Sequence, residues 1–389
     1  MNARISCCSA AILCIAACSA VAFPTTAPAG DMLVADCVGH SIHRYDIDGN
    51  YVGEFVPALA TSLRFPHSMI WGPDGNGDGI EDVYVAGLQS NAIHRYDGVT
   101  GEPIGDGVFS RRGQIVAPVD LDWGPDRNGD GVADLYVLNN VNRKRLVWVD
   151  GVTGARGGVL IFDNTARYTI AEFMTFGPDT TADGTPEIYM TTGASNTIYK
   201  FDGASGAFIE NFSRRQAGYL TGRDLLFHTD GRLYVCNGAG NGIVSVDATT
   251  GRDGLAFVPS GSGGLANPHG IIFGHDANGD GIEDLYVAGQ QSITVTRYDG
   301  LTGEYIDMPV SPNEGGITAA ASILFMPDPP CTGDIDRDGG VGLSDLAVVL
   351  SNFGTPDGAT PADGDLDSDG DVDLADLGIM LSAFGSTCS

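Results

Sequence analysis

Basic residues are scarce in this sequence, which has 20 lysines and arginines against 50 aspartates and glutamates and a formal net charge of -30. So few cations cannot track a phosphate backbone, and the sign of the charge argues against nucleic acid as a partner. Charged residues make up only 18% of the chain, whereas hydrophobic residues make up 43%. A disordered acidic chain lacks that apolar content, so we expect a folded protein with a hydrophobic core.

Long hydrophobic runs are also missing, apart from residues 5–20. That run is short for a membrane span, and it leads to a small-x-small cleavage site at residues 20–22. We therefore expect residues 1–22 to be a signal peptide. We also expect the protein to be secreted and to have no transmembrane segment. Residues 15–18 also resemble a lipoprotein signal, which would leave Cys18 lipidated and the protein attached to the cell surface.

Few cysteines remain once the expected signal is removed, because four of the eight lie within it. Cys331 and Cys388 bracket the C-terminal segment, so we expect a disulfide that closes this small unit in an oxidising compartment. Cys37 and Cys236 lie in separate repeats of the chain, and we expect them to be buried free thiols.

Nucleophile elbows and HExxH, Walker and Rossmann motifs are absent, and helical periodicity is rare in the first part of the chain. What is present is a repeat whose first run, such as FPHSMIWGPD, ends at positions 46 to 53 residues apart, namely 74, 126, 179, 230, 276 and 328. Each copy continues with β-rich runs such as DVYVAG and AIHRY, separated by Gly, Asn and Asp turns. Four short strands of this kind make one blade of a β-propeller.

The two ends of the repeat region complement each other. Residues 31–56 supply the second to fourth strands of a blade, whereas residues 317–328 supply only a first strand. Joined together they close the ring and leave no open sheet edge. We predict an all-β, six-bladed propeller over residues 31–328, with four-stranded blades and one blade built from both ends.

Three repeats carry the pattern DxNxDGxxD directly after the first strand, at residues 74–82, 126–134 and 276–284. Side-chain oxygens at positions 1, 3, 5 and 9, with glycine at position 6, suit a hard cation such as calcium. Turn chemistry alone accounts for isolated Asp, Asn and Gly, but poorly for three complete copies.

These repeats resemble the FG-GAP and VCBS-type repeats of integrin-α-like propellers, and their PHGI and RYD elements resemble six-bladed NHL-type propellers. The resemblance implies calcium in each loop, with backbone carbonyls from Ile80, Val132 and Ile282. The implied side-chain ligands are Asp74, Asn76, Asp78, Asp82, Asp126, Asn128, Asp130, Asp134, Asp276, Asn278, Asp280 and Asp284.

The fourth blade departs from this pattern. Asp179, Asp183 and Glu187 keep the frame, but Thr181 is a poorer ligand and Pro186 stiffens the turn. We expect a weak or empty site there. The fifth blade has only a tight hairpin, with no room for an ion.

The last part of the chain, residues 329–389, is predicted to be a separate module after the stiff PDPP junction. It carries DxDxDGxxxxxD twice, and apolar residues at helical spacing follow each loop. These residues are Leu346, Val349, Leu350, Phe353, Leu377, Met380, Leu381 and Phe384.

Two such loops, each running into one helix, resemble a type I dockerin, in a variant form bracketed by cysteines. The resemblance implies an EF-hand-like calcium module and attachment to a cohesin-like or cell-envelope protein. In place of the family's hydroxyl pair, the two repeats have Leu343-Ser344 and Leu374-Ala375. The implied calcium ligands are Asp334, Asp336, Asp338, Asp345, Asp365, Asp367, Asp369 and Asp376.

The propeller channel is the place to look for catalysis. The repeat puts His67, Glu172, Arg223 and His269 at one equivalent position of the first strands. Such groups can hold a metal or act as base and electrostatic stabiliser, as in NHL-like lyases, but polar channels also occur in propellers without catalysis. We expect a secreted calcium-binding recognition or scaffold protein with a carbohydrate or protein ligand on its propeller. The alternative is a secreted enzyme, either a polysaccharide-active hydrolase or a lyase.

Overall fold

A computed structural model describes residues 30–111, 113, 115–140, 144–163, 171–193, 197–213, 221–327, 333–336, 340–367 and 369–386. The expected signal peptide, the lipidation site at Cys18, the Cys331–Cys388 disulfide and the ligand Asp338 lie outside these residues. Among the described residues, no helix is both long enough and apolar enough to cross a membrane.

The described residues form 24 strands followed by two helices, with three-residue 3-10 turns at Ser262–Gly264, Glu314–Gly316 and Pro361–Asp363. The strands are β1 (Met32–Asp36), β2 (Ser41–Tyr45), β3 (Tyr51–Val56), β4 (Pro66–Gly72), β5 (Asp82–Gly87), β6 (Ala92–Tyr96), β7 (Pro103–Arg111), β8 (Pro118–Gly124), β9 (Asp134–Asn139), β10 (Lys144–Val149), β11 (Arg156–Asp163), β12 (Ala171–Gly177), β13 (Glu187–Thr192), β14 (Ile198–Phe201), β15 (Phe208–Ser213), β16 (Gly222–Phe227), β17 (Arg232–Asn237), β18 (Gly242–Asp247), β19 (Leu255–Val258), β20 (Pro268–Gly274), β21 (Asp284–Gly289), β22 (Thr294–Tyr298), β23 (Tyr305–Val310) and β24 (Ala320–Phe325). The helices are α1 (Leu343–Asn352) and α2 (Leu374–Ala383).

The strands form six four-stranded antiparallel sheets, which are the blades of a β-propeller. The innermost strands are β24, β4, β8, β12, β16 and β20, and each contacts the innermost strand of the next blade around the ring. The predicted all-β propeller of six four-stranded blades is therefore confirmed.

One blade joins the two ends of the repeat region, in the order β24-β1-β2-β3. In this sheet Met32 pairs with Phe325 and Ala35 pairs with Ser322. The buried carboxylate of Asp36, at the end of β1, accepts hydrogen bonds from the backbone N–H groups of Thr318 (2.7 Å) and Ala319 (3.0 Å). The predicted closure of the ring by both chain ends is thus confirmed.

The second strand of each intact blade is almost completely buried, because it lies between its two sheet neighbours and between the adjacent blades. Five of these strands carry a buried tyrosine that packs edge-to-face against an aromatic ring on the first strand of the next blade. The ring centroids are 4.8 to 5.2 Å apart in the pairs Tyr84–Trp123, Tyr136–Phe176, Tyr189–Phe227, Tyr234–Phe273 and Tyr286–Phe325. These pairs fix how neighbouring blades meet.

The C-terminal module has its own small core, in which Val341, Val349, Val372 and Met380 are buried. The predicted apolar face is only partly correct, because half of it points outward. Exposed positions repeat in both helices, with 55% for Leu350 and 56% for Leu381, 45% for Phe353 and 42% for Phe384, and 77% for Leu343 and 73% for Leu374. The residues predicted from helical spacing to form one apolar face therefore lie on two faces, one in the core and one exposed to solvent.

Candidate functional site

The three DxNxDGxxD loops form the turns between the first and second strands of their blades. In the first loop, the carboxylate of Asp74 accepts hydrogen bonds from the backbone N–H groups of Gly77 (2.6 Å) and Gly79 (2.7 Å). Gly79 adopts a φ of 83°, a conformation that suits glycine, so the loop can fold back over the aspartate. Asp126 and Asp276 make the same pair of contacts in their loops.

The acid at position 9 of each loop is fully buried, at 0% exposure for Asp82, Asp134 and Asp284. One of its carboxylate oxygens accepts a backbone N–H at 2.7 to 2.9 Å. The other oxygen, Oδ1, is buried without a hydrogen-bond partner in all three blades. An unpaired buried carboxylate oxygen is costly, so the donor set fits a hard cation that takes oxygen ligands.

Without a cation these buried acids hold their charge poorly. Burial raises the pKa of Asp82 to about 6; the Gly75 amide and Arg95 lower the pKa, whereas Asp74 and Asp78 raise it. Burial also raises the pKa of Asp134 and of Asp284. In all three loops, the negative charge of the buried acid is therefore unfavourable, and a divalent cation would offset this cost.

The fourth-blade loop keeps the frame, and Glu187 Oε2 is likewise buried without a hydrogen-bond partner, but this loop has a cationic neighbour. One oxygen of Glu187 accepts from the Thr180 hydroxyl (2.6 Å) and from the N–H groups of Thr180 and Thr181 (both 2.8 Å). The buried ammonium of Lys200 donates to the Thr180 hydroxyl. A cationic side chain thus lies beside this loop, and the weak or empty site stays a prediction.

In the C-terminal module, carboxylates converge at both loops. Asp334, Asp336 and Asp345 place ligand atoms within 4.8 Å of one another. The second loop forms two such groups, which are Asp365, Asp367 and Asp369, and Asp371, Asp373 and Asp376. Six of the seven predicted ligands that the structure describes therefore fall into the expected groups, whereas Asp376 lies with Asp371 and Asp373. Asp371 and Asp373 were not among the predicted residues because they lie outside the ligand positions of the family pattern.

The last aspartate of each module loop also caps the helix that follows. Asp345 is buried, and its carboxylate accepts from the N–H groups of Ile335 (2.6 Å), Asp336 (3.0 Å) and Gly342 (2.8 Å). Burial raises the pKa of Asp345, but these amides outweigh it and hold the pKa below the ordinary value. Asp376 makes the equivalent contacts in the second loop. Loop and helix are therefore coupled through one side chain.

In the propeller channel, the four candidate catalytic residues lie on the second residue of four innermost strands, as the register predicts. The rings of His67 and His269 are 4.6 Å apart, and Phe173 packs against both. Arg223 pairs with Glu172 at 2.9 Å. Among the described residues, the groups of three or more metal-ligating side chains lie in the C-terminal module, not here.

The two histidines are neutral, buried groups. Each Nδ1 donates to a carbonyl of the adjacent blade, His67 to Val119 (2.7 Å) and His269 to Ala321 (2.9 Å). Burial lowers the pKa of His67 to about 4 and that of His269 well below its ordinary value. Both rings therefore act as packed connections between blades, and Phe173 covers them.

Two aspartates, the buried Asp120 and the half-buried Asp224, also link neighbouring blades near the channel. Asp120 accepts the N–H of Met174 (2.7 Å) and Asp224 accepts that of Ile271 (2.9 Å), in each case on the next innermost strand. Burial raises the pKa of Asp224 to about 7, although the amides of Ile271 and Leu225 lower it. Its protonated form therefore stabilises the fold.

This raised pKa predicts a pH-dependent stability. The folded pKa of Asp224 is about 7 against an ordinary value of 3.8, so its contribution is complete below about pH 4 and is lost as the pH rises through 7. We expect Asp224→Asn to gain about 3 kcal/mol relative to the native protein between pH 4.5 and pH 8. Denaturant unfolding at fixed excess calcium measures this difference.

The matched control is Asp48→Asn, which removes the same charge from an exposed turn. We expect its stability difference from the native protein to stay flat with pH. An Asp224→Asn curve that runs parallel to the native one over this range would contradict the assignment.

Neither a known protein-family model nor a curated protein matches this sequence. Solved structures do resemble it. A chain of a nidogen/laminin complex matches with a TM-score of 0.54 and 14% identity, over 76% of this chain and 98% of that one. A protein of unknown function from Bacteroides caccae matches with a TM-score of 0.54 and 11% identity, over 76% and 98%.

A virginiamycin B lyase from Staphylococcus aureus has a TM-score of 0.46 and 17% identity, over 71% of this chain and 82% of that one. A likeness this low gives no argument for lyase activity. At these identities, the resemblances support the propeller fold alone. Function has to be argued from the sites described above.

Proposed function

We propose that this protein is a secreted, calcium-binding β-propeller that attaches to a cohesin-like or cell-envelope protein through its C-terminal module. The propeller is the recognition or scaffold part, and the helical module is the anchor. The observation that carries the attachment is a repeated set of exposed apolar side chains, the outer face of the module, made up of Leu343, Leu350, Phe353, Leu374, Leu381 and Phe384.

The outer face is unusual for the surface of a small soluble module. Its three pairs of large apolar side chains match in exposure to within a few per cent, although the two helices are separate in sequence. Contiguous apolar patches on a soluble surface usually mark binding sites, because their exposure to water is unfavourable. A repeated face of this kind supports a binding role for the module.

Calcium supports both parts of the proposal. The acidic clusters of the module bring three carboxylates within 4.8 Å, which is unfavourable without a cation. The unpaired buried oxygens of Asp82, Asp134 and Asp284 give the propeller loops a similar need. The residues would hold the ion with carboxylate and amide oxygens, and the ion would join loop segments that otherwise repel one another.

The propeller itself can serve as a protein-binding surface, since one structural neighbour comes from a complex of nidogen with laminin. The enzyme alternative, a polysaccharide-active hydrolase or a lyase, receives less support. A substrate would have to displace Phe173 to reach His67 or His269. Loss of a measured activity in a His67→Ala/His269→Ala variant that stays folded would favour the enzyme.

Retention of the full chain on a partner tests the proposed attachment. Cohesin-type modules and fractionated envelope proteins of the source organism are immobilised and probed with the chain in calcium and in chelator. We expect one component to retain the chain in calcium and to release it in chelator. The absence of any calcium-dependent retention on either set would refute the proposed attachment.

A further inference from the structure

A second carboxylate lies against each of the three DxNxDGxxD loops, and it comes from another turn of the same blade. Asn76 Nδ2 lies 2.6 Å from Asp97 Oδ2 and 3.1 Å from Asp78 Oδ2. The same bridging amide recurs at Asn128, between Asp150 (2.6 Å) and Asp130 (3.0 Å). It recurs again at Asn278, between Asp299 (2.8 Å) and Asp280 (3.5 Å).

The additional aspartates belong to the turn between the third and fourth strands, which reads DGxTG. In this turn, one oxygen of the aspartate accepts hydrogen bonds from groups of the turn itself. Asp97 Oδ1 accepts from the Thr100 N–H (2.6 Å) and the Thr100 hydroxyl (2.7 Å). The other oxygen, Oδ2, is the one that faces the loop. Asp150 and Asp299 divide their two oxygens in the same way.

An independent observation indicates a ligand at this place. The fully buried acid at position 9 of each loop keeps an unpartnered oxygen, in Asp82, Asp134 and Asp284. Asp82 interacts electrostatically with Asp74 and Asp78, and Asp284 with Asp276 and Asp299. The buried acid, the loop and the second turn therefore belong to one cluster.

The charges of the cluster do not balance. In the first blade, the loop and the second turn carry four carboxylates, and one cation lies nearby, Arg95, whose Nε is 3.9 Å from Asp82 Oδ2. The amide NH₂ of Asn76, which lies between Asp78 and Asp97, carries only a partial positive charge. Asp78 Oδ2 and Asp97 Oδ2 both contact this one nitrogen, and calcium takes oxygens at roughly 2.3 to 2.6 Å, so an ion bound between the two turns would draw both oxygens onto itself.

We propose that Asp97, Asp150 and Asp299 are additional cation ligands that join the outer turn of each blade to its DxNxDGxxD loop. The inference rests on the proposed calcium loops, and it adds a carboxylate that the loop pattern does not contain. The bound ion would then connect the hairpin of the first two strands to the turn between the third and fourth strands. The cation would stabilise a whole blade rather than a single hairpin.

The fifth blade offers a matched control within the same chain. Asp247 forms an equivalent turn, accepting from the Thr250 N–H (2.8 Å) and hydroxyl (2.7 Å). The neighbouring hairpin, however, is a tight turn closed by the His228 N–H and the Arg232 carbonyl at 2.9 Å, without a DxNxDGxxD loop. An asparagine at either position keeps the turn-forming oxygen and replaces the second oxygen with NH₂.

The test uses the full chain and calcium alone, with Asp97→Asn, Asp247→Asn and Asp74→Asn variants. Calorimetric titration measures the number of ions and their affinities, and crystals grown in calcium locate the ions. We expect the affinity of the first-blade loop to fall roughly tenfold to a hundredfold in Asp97→Asn. We expect no change in Asp247→Asn, and a contact of roughly 2.3 to 2.6 Å between Asp97 and the ion in the native protein.

Three outcomes are distinguishable. Weakened binding in Asp97→Asn and Asp74→Asn, but not in Asp247→Asn, supports the inference. If Asp74→Asn weakens binding while Asp97→Asn binds as tightly as the native protein, the inference is overturned and the calcium loops stand. A native propeller that takes up no calcium overturns both the inference and the proposed calcium loops.

Discussion

Chelation of calcium is expected to remove most of the helix from the C-terminal module and to lower the Tm of the propeller by roughly 10 °C or more. The module carries twelve aspartates and a single arginine within residues 329–389, so its loops repel themselves when no cation is bound. In the propeller, each site filled at a hundred times its Kd contributes about 2.7 kcal/mol to the free energy of unfolding. Three such sites account for the expected change in Tm.

Calorimetry in calcium and in excess chelator measures both transitions, and far-ultraviolet circular dichroism follows the helices. Magnesium is the control, because its small octahedral shell fits these loops poorly, so it should restore neither signal. Asp345→Asn together with Asp376→Asn should affect the helical signal alone. Melting that is identical with and without chelator would refute a structural role for calcium.

Replacing both Leu350 and Leu381 with glutamate is expected to abolish attachment, with a loss of about a hundredfold or more in affinity. Either substitution alone is expected to leave most of the affinity. Each side chain is more than half exposed, and each lies at the same place on its own helix. A charge buried in an apolar interface is costly, but an equivalent face on the other helix remains available to the partner. Retention on the calcium-dependent partner measures the effect.

The matched control adds the same charges one residue further along each helix, as Ser351→Glu with Ser382→Glu. Both serines are exposed and lie beside the outer face rather than on it. This control should bind within about twofold of the native chain. If the double leucine variant binds as well as this control, the outer face is not the attachment surface.

The ring could be predicted from the sequence because repetition carries the information. The same order of four strand patterns recurs in each blade, so residues 31–56 and 317–328 could be recognised as parts of one sheet. The same repetition placed His67, Glu172, Arg223 and His269 on equivalent positions, which the structure confirms. Spacing within a repeat fixes register, and register fixes which residues line the channel.

Contacts between elements could not be predicted, because linear spacing does not show which side chains meet. The DGxTG turn places Asp97 against Asn76, although the two residues are 21 positions apart in sequence. Helical spacing likewise did not separate inward Val349 from outward Leu350, which are adjacent in sequence. Such facts depend on strand pairing and helix packing, which emerge only when the chain is folded.

The blade shared by both chain ends also affects the order of folding. β1 pairs with β24 across nearly the whole propeller sequence, and such distant contacts form late because a long loop must close first. Until β24 arrives, β1 has a free edge that can pair with the strands of other molecules. Asp36, which accepts the N–H groups of Thr318 and Ala319, secures this last strand once it is in place. Pairing with β24, the last strand in chain order, thus covers the edge of β1, the first strand, and protects it from aggregation.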